Sequence, residues 1–123
     1  MFHKLIISLY SQYLLPSSEN LNDAMRMRNY IDANISRQIT VDELASLIFK
    51  SRSQAIRIFK KEYGKTPYDY LLESRIKQSK ILLKNTNLLI KEIAFKVGFA
   101  DEHYFSDLFK RKCGTTAMQY RNE

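Results

Sequence analysis

The stretch that decides the fold is EIAFKVGFADEHYFSDLFKRKCG, residues 92–114. Its first part carries an apolar stripe at helical spacing, and Gly98 follows where the chain can turn, because glycine adopts positive φ at low cost. Asp101 has a short acceptor side chain that can cap a second helix, and Gly114 is a stop signal after that helix. The two apolar stripes consist of Ile93, Ala94 and Val97 and of Phe105, Leu108 and Phe109. This order predicts two short helices joined by a tight turn, the arrangement that places a helix in the major groove of DNA.

The same pattern occurs a second time, about fifty residues earlier. Glu43-Leu44-Ala45 precedes Glu92-Ile93-Ala94 by 49 residues, and Phe59-Lys60-Lys61 precedes Phe109-Lys110-Arg111 by 50. Two copies are too few for a solenoid, which needs about three or more repeats. We therefore interpret the chain as a tandem pair of helix-turn-helix units.

Composition favours an all-helical fold without enzymatic machinery. The 123 residues include three glycines and two prolines, and strand-like alternation is scarce. A single cysteine excludes an intramolecular disulfide and fits a reducing cytoplasm. His3, His103 and Cys113 lack the spacing of metal ligands, and no phosphate loop, carboxylate pair or nucleophile elbow is present. We therefore expect no enzyme, no metal and no cofactor.

The net charge of +7 is concentrated in one part of the chain. Residues 50–114 hold fifteen Lys and Arg against seven Asp and Glu, whereas residues 1–49 hold four against five. A basic segment that includes the second half of each repeat is typical of proteins that neutralise DNA phosphates. Basic surfaces also suit anionic membranes and acidic proteins, so charge alone is a weak signal.

The first residues are almost entirely apolar. Residues 2–15 are too short and too interrupted by polar residues to span a bilayer, so we expect no membrane partner. Leu5, Leu9 and Tyr13 recur at helical spacing, which predicts an extra N-terminal helix that packs on the domain or mediates self-association.

The remaining signals predict an all-α fold of two homeodomain-like three-helix units joined by a long central helix. Residues 1–20 are expected to form the apolar helix and a linker, 21–66 the first unit, 67–84 the connecting helix and 85–123 the second unit. The helices expected inside these segments cover 21–35, with Ile35 on its apolar face, then 41–48, 52–63, 67–84, 102–113 and 117–121.

These residues resemble the DNA-binding domain of the AraC/XylS family of bacterial transcription regulators. The similarity covers residues 27–121. It rests on Ile93-Ala94, Val97-Gly98-Phe99, Tyr104-Phe105-Ser106, Phe109-Lys110, Gly114 and Gln119-Tyr120-Arg121, and in the first half on Leu44-Ala45, Ser51, Phe59-Lys60-Lys61, Gly64, Tyr70-Leu71, Arg75 and Leu82-Leu83. The resemblance implies two helix-turn-helix units bridged by a long helix, and binding to promoter DNA that usually activates transcription, with RNA polymerase as a further partner. The resemblance also implies that the protein is located in the bacterial cytoplasm and is associated with the nucleoid.

Several positions depart from the family pattern. The first turn has Phe49 and Lys50 where a glycine and an apolar residue are usual, and because Phe at positive φ is strained we expect this turn to take another path. Ser79 replaces a small apolar residue, Ala117 replaces a proline, and Leu89 stands where a capping Ser or Thr is common. The family's sensor domain is missing, so the chain is a short regulator or a fragment of a longer one.

Base contacts are expected from the outer faces of helices 52–63 and 102–113. In the first helix the family's base-contacting positions correspond to Ser53, Ile56 and Arg57. Arg57 can donate twice to one guanine, a contact that discriminates by roughly 1–3 kcal/mol, whereas core packing is an equal alternative for Ile56. The outward set of the second helix is Glu102, His103, Ser106, Asp107 and Lys110, and the first four are the expected base contacts. Its carboxylates can accept from cytosine, or else serve as caps or intramolecular partners.

Phosphate contacts position such a protein without distinguishing sequences. The residues expected to make them are Ser51, Arg52, Lys60, Lys61, Lys110 and Arg111. The predicted mechanism places two helices in major-groove segments about one turn of DNA, ~34 Å, apart. The alternative is a helical module that dimerises through residues 2–15 and has lost promoter binding.

Overall fold

A computed structural model describes residues 17–123, and every regular element among them is a helix. The seven helices are α1 Ser17–Ala33, α2 Val41–Leu47, α3 Arg52–Tyr63, α4 Pro67–Asn85, α5 Ile90–Lys96, α6 Glu102–Cys113 and α7 Ala117–Asn122. The all-α prediction with two helix-turn-helix units is thereby confirmed. The predicted helix within residues 2–15 lies outside the described residues.

The described chain divides into two compact units. The first comprises residues 17–31 and Ile39–Pro67, and the second comprises Asp32–Gln38 and Tyr68–Glu123. The core of the first contains Ala24, Met27, Ile31, Leu44, Ala45, Ile48, Ala55, Ile58 and Phe59. The core of the second contains Leu72, Ile76, Leu83, Ile93, Ala94, Val97, Phe99, Phe105, Leu108, Phe109 and Ala117. Each unit thus buries the apolar stripes that the sequence repeats.

The first helix differs most from its predicted bounds. α1 begins at Ser17, so the prediction of a linker over residues 17–20 is wrong, and it ends at Ala33 instead of residue 35. Glu19 in the first turn suits the positive end of the helix dipole. Ile35 lies beyond the helix, and its backbone carbonyl accepts a hydrogen bond from Arg75 Nε at 2.7 Å. Carbonyls at a helix end have no partner within the helix, so an outside donor satisfies this one.

The other helices for which bounds were predicted begin and end within one residue of those bounds. Thr40 opens α2 with a capping box, in which its Oγ1 accepts from the Glu43 amide and Glu43 Oε1 accepts from the Thr40 amide. The apolar pattern of α4 predicts a buried side made of Leu71, Leu72, Ile76, Leu82 and Leu83. Four of these side chains are buried, and Leu82 is only partly buried. Ser79 on the same helix is fully buried, and its hydroxyl donates to the Ile76 carbonyl at 2.6 Å, so this polar substitution is satisfied within the helix.

Candidate nucleic-acid interface

The outer face of α3 is fixed by its cap and its core contacts. Ser51 Oγ accepts from the Gln54 amide at 3.2 Å, and Gln54 Oε1 accepts from the Ser51 amide at 3.0 Å. Gly64 ends the helix in the left-handed conformation, with φ of 75°. Because the buried side chains are Ala55, Ile58 and Phe59, the opposite side of α3 faces outward, with Arg52, Ser53, Gln54, Arg57, Lys60 and Lys61 exposed.

The outer face of α6 is built in the same way, fifty residues later. Asp101 Oδ1 accepts from the His103 amide at 2.9 Å, and Gly114 ends the helix with φ of 77°. The buried residues are Phe105, Leu108 and Phe109, the equivalents of those in α3. The sequence repeat therefore corresponds to two helices with the same exposed positions.

The predicted base-contacting residues lie on these outer faces to different degrees. Ser53 and Arg57 are exposed on α3, whereas Ile56 is half-buried at the edge of its core. On α6, His103 and Asp107 are exposed and Glu102 and Ser106 are half-buried. The carboxylate that caps α6 is Asp101, so the capping role considered for Glu102 or Asp107 belongs to a different residue.

The predicted phosphate-contacting residues are all exposed. Lys60, Lys61, Lys110 and Arg111 occupy the last turns of α3 and α6, where positive charge also suits the helix dipole. Arg52 Nε lies 3.4 Å from Asp42 Oδ1, an exposed ion pair of the kind that contributes little and is easily exchanged for another anion. Ser51 uses an oxygen lone pair for its cap, which leaves its hydroxyl proton for another acceptor.

The two turns share their closing hydrogen bonds and a positive φ, 57° at Phe49 and 113° at Gly98, so the prediction that the first turn takes another path is wrong. In the second turn the amides of Gly98 and Phe99 donate to the carbonyls of Phe95 and Ala94 at 3.1 and 2.9 Å. In the first turn the equivalent amides, 49 residues earlier, donate to the equivalent carbonyls at 3.2 and 3.0 Å. Phe49 accordingly has φ of 57°. Its ring is 90% exposed, so no neighbouring side chain prevents the left-handed conformation.

Arg75 supports the second turn, a role that the sequence analysis did not assign. Its guanidinium donates from Nε to the Ile35 carbonyl at 2.7 Å and from Nη2 to the Arg37 carbonyl at 2.9 Å. A Cβ atom at Gly98 would lie 2.7 Å from Arg75 Nε. Burial lowers the pKa of Arg75 from its ordinary value. The signal that could have revealed this role is an arginine amid the apolar positions of α4, because a buried guanidinium requires acceptors.

The part of the chain that the structure describes contains neither a metal-binding cluster nor a membrane-spanning helix. Among residues 17–123, no group of three or more His, Cys, Asp or Glu side chains is placed to hold a metal ion. Within the same part of the chain, every helix falls short of the length and apolarity that crossing a bilayer requires.

Known proteins with similar sequences and structures carry helix-turn-helix domains. A family profile described as a helix-turn-helix domain matches residues 44–123. The chain is 35% identical over 109 residues to the bifunctional transcriptional activator and DNA repair enzyme AdaA of Bacillus subtilis, covering 86% of this chain and 52% of AdaA. It is 36% identical to the C-terminal domain of the two-component response regulator YesN of Fusobacterium nucleatum, with a TM-score of 0.73, covering 77% of this chain and 93% of that domain.

One of the similar structures contains DNA. The DNA-binding domain of AdpA, a global transcriptional factor crystallised with a target DNA, is 25% identical, with a TM-score of 0.69, covering 87% of this chain and 90% of that one. The chain spans between 28% and 52% of the length of the curated relatives compared with it. The comparisons support a DNA-binding regulator and not the alternative of an interaction module without DNA binding. The chain belongs to the AraC/XylS family, and it corresponds to the helix-turn-helix DNA-binding domain of that family.

Proposed function

We propose that this chain is the part of a bacterial transcription activator that binds promoter DNA, and that α3 and α6 enter its major groove. The observation that carries the proposal is the repeat itself. Two helices of twelve residues, each preceded by a short helix and the same turn, bury equivalent positions and expose equivalent positions. This duplication of a complete helix-turn-helix geometry supports two contacts with one DNA duplex, ~34 Å apart along the axis.

The two helices differ in the bases that they would select. On α3 the exposed guanidinium of Arg57 has the donor geometry for guanine O6 and N7, and Ser53 offers a hydroxyl beside it, with half-buried Ile56 in reach of a thymine methyl. On α6, Asp107 and Glu102 offer acceptors to the cytosine amino group, while His103 and Ser106 can donate or accept. We therefore propose that α3 contributes most of the affinity and that α6 contributes selectivity with less electrostatic gain.

The basic residues at the ends of both helices would position the protein on the backbone. Lys60, Lys61, Lys110 and Arg111 are exposed, and Ser51 and Arg52 stand at the start of α3. Neutralised phosphates release counterions, so binding should weaken steeply as salt rises.

The test compares Arg57→Ala with Lys60→Ala. A duplex is first selected from a random DNA pool, and binding to it and to a scrambled duplex is titrated at several salt concentrations. Arg57→Ala should weaken the selected duplex by roughly 1–3 kcal/mol and relax selectivity at one base pair. Lys60→Ala should weaken both duplexes alike and reduce the salt slope by about one.

Lys77→Ala is the matched control, since Lys77 is an exposed cation on α4 outside both helix-turn-helix motifs. Its removal should leave selectivity unchanged and alter the salt slope less than Lys60→Ala does. Equal, sequence-independent losses from Arg57→Ala and Lys60→Ala would refute the assignment of Arg57 to a base. The absence of any salt-sensitive DNA binding by the unmodified chain would refute the function.

Activation and assembly are further parts of the proposal. AdaA is described as both an activator and a repair enzyme, and we propose the regulatory role alone for this chain, acting in the cytoplasm on the nucleoid. We also propose that the protein contacts RNA polymerase and that it self-associates through residues 2–15. Sedimentation of the full chain and of a fragment from residue 17 onward would test self-association, which requires a concentration-dependent mass in the full chain only.

A further inference from the structure

Two tyrosine hydroxyls lie side by side at one end of α6, and neither was expected to contact DNA. Tyr68 is the second residue of α4 and Tyr104 the third residue of α6. Their Oη atoms are 3.5 Å apart. Both side chains remain open to solvent, Tyr68 being 54% exposed and Tyr104 38% exposed. Two donors therefore meet at the surface of the second unit.

The tyrosine pair lies next to an aromatic ring and is influenced by a buried positive charge. The ring of Tyr104 packs edge-on against Phe99, with centroids 5.9 Å apart. The guanidinium carbon of Arg75 lies 5.7 Å from the Phe99 ring centroid, and its charge acts on both phenols. A buried cation whose charge acts on two surface hydroxyls favours an anion beside those hydroxyls.

The hydroxyl of Tyr68 is available as a donor at neutral pH. The hydrogen bond with Tyr104, together with partial burial, raises the pKa of Tyr68 above its ordinary value, so this phenol keeps its proton. The separation of 3.5 Å is long, since O–H···O hydrogen bonds are typically about 2.7–2.8 Å. Little is therefore lost when both hydroxyls turn to a stronger acceptor, and an anionic phosphate oxygen is one.

The position of the pair on α6 points to the DNA backbone. Tyr104 follows His103, a proposed base contact, and Arg111 comes seven residues later, about two helical turns along the same flank. Residues on the flank of a helix in the major groove face the phosphates that border the groove. We propose that Tyr68 and Tyr104 form a two-hydroxyl site for one backbone phosphate, an inference that rests on the proposed function.

The first experiment measures DNA affinity after loss of one hydroxyl. Tyr68→Phe, Tyr104→Phe and the double variant are titrated with the selected and scrambled duplexes at several salt concentrations. Each single variant should bind both duplexes about three- to tenfold more weakly. The salt slope should not change, because a neutral donor releases no counterions, and this separates the site from the lysine contacts.

Tyr70→Phe is the matched control. Tyr70 lies on the same helix, and its hydroxyl already donates to Asp32 Oδ1 at 2.6 Å. Its affinity for DNA should equal that of the unmodified chain. Circular dichroism and thermal unfolding accompany every variant, and a loss of binding matched by a loss of folded protein would overturn the site.

The second experiment locates the phosphate. Single phosphates of the selected duplex are replaced by neutral methylphosphonates. At one position the replacement should weaken the unmodified chain several-fold and leave the double variant unaffected. If Tyr→Phe variants bind like the unmodified chain, or if no such position exists, the phosphate site is refuted while DNA binding through α3 and α6 stands. If the unmodified chain binds no duplex, the proposed function fails first.

Discussion

The two helix-turn-helix motifs trace the same turn with different chemistry. In the second motif Gly98 supplies the positive φ, and the next residue, Phe99, is buried in the core. In the first motif Phe49 supplies the positive φ with its ring in solvent, and Lys50 reaches back to the buried carboxylate of Asp23 at 2.7 Å. The backbone hydrogen bonds that close the turn are the same. The turn therefore requires a positive φ, followed by a residue that is fixed to the rest of the unit. That residue can be a buried aromatic ring, as Phe99 is, or one side of an ion pair, as Lys50 is.

Gly98 is required both because its φ of 113° strains any residue with a side chain and because other atoms pack against it. A Cβ at Gly98 would meet Arg75 Nε at 2.7 Å and the Ile35 carbonyl oxygen at 2.8 Å. The equivalent position in the first motif carries a whole phenylalanine side chain that is 90% exposed. Two features distinguish the turns: φ is 113° at Gly98 against 57° at Phe49, and the Arg75 guanidinium lies close to Gly98 whereas Phe49 is exposed.

The largest expected effect comes from Gly98→Ala. The new Cβ must displace the Arg75 guanidinium from the Ile35 carbonyl, so we expect a loss of about 3 kcal/mol or more in the free energy of unfolding, measured by urea denaturation. Gly114→Ala is the control, since φ there is 77° and a Cβ would meet nothing within 4 Å. Its cost should be about 1 kcal/mol. Equal costs at the two glycines would show that packing against Arg75 does not matter.

The next effect comes from Lys50→Met. Asp23 is buried and would lose its cationic partner, so the free energy of unfolding should fall by about 1–3 kcal/mol. A double variant, Lys50→Phe with Asp23→Leu, would imitate the apolar anchor of the second motif and should recover most of the loss. Failure to recover would mean that the first motif specifically requires the ion pair.

The same pair predicts a dependence on pH. The hydrogen bond and charge of Asp23 raise the pKa of Lys50 above its ordinary value of 10.5. A group whose pKa is raised on folding stabilises the protein fully below the ordinary value and loses that contribution as pH rises through the folded value. The difference in unfolding free energy between the unmodified chain and Lys50→Met should therefore shrink as pH rises above 10.5, the ordinary pKa of lysine. A constant difference would exclude the ion pair as its cause.

A smaller effect of opposite sign is expected from Phe49→Gly. Removal of the side chain from a residue with φ of 57° relieves left-handed strain, and no buried ring is lost, so stability should rise by about 1 kcal/mol. Phe49→Ala keeps the Cβ and should leave stability nearly unchanged. If alanine stabilised the fold as much as glycine, the exposed ring and not the backbone would be responsible.

The smallest effect concerns the caps that precede the two turns. Thr40 caps α2 with its side chain, whereas its equivalent Leu89 has no acceptor, and only the Glu92 half of the box is formed, at 3.1 Å from the Leu89 amide. Leu89→Ser should stabilise the second unit by about 0.5–1 kcal/mol in thermal unfolding. Thr40→Ala should destabilise the first unit by a similar amount. A null result at Leu89 would indicate that its exposed side chain contributes contacts that offset the missing cap.

The sequence predicted most of the fold because its signals are local. Thr40, Ser51 and Asp101 cap the helices that follow them, and Gly64 and Gly114 end theirs, since a short polar side chain or a glycine acts within a few residues. The path of the first turn was predicted wrongly because the left-handed strain of a phenylalanine can be expected from the residue type alone. The open space around the Phe49 side chain is visible only in the structure. The acceptors of Arg75 lie about forty residues away in the sequence, at Ile35 and Arg37, and no periodicity signals such a contact.

The candidate site was predictable to the same extent. The exposed positions of α3 and α6 follow from their apolar stripes, so Arg57 and His103 could be placed outward from sequence alone. The tyrosine pair could not be found in this way. Tyr68 and Tyr104 come from different helices, 36 residues apart, and meet only through the packing of the second unit.

The assignment of residues to units has a consequence for how the domain can be divided. The second unit includes Asp32–Gln38, whose carbonyls hold Arg75 and whose Gln38 side chain donates to the Gly98 carbonyl at 3.4 Å. A fragment that starts at the long helix would leave a guanidinium without acceptors beneath the turn that it supports. The two motifs are therefore not interchangeable. A recombinant of two family members should succeed only when the segment Asp32–Gln38 comes from the same parent as the C-terminal half.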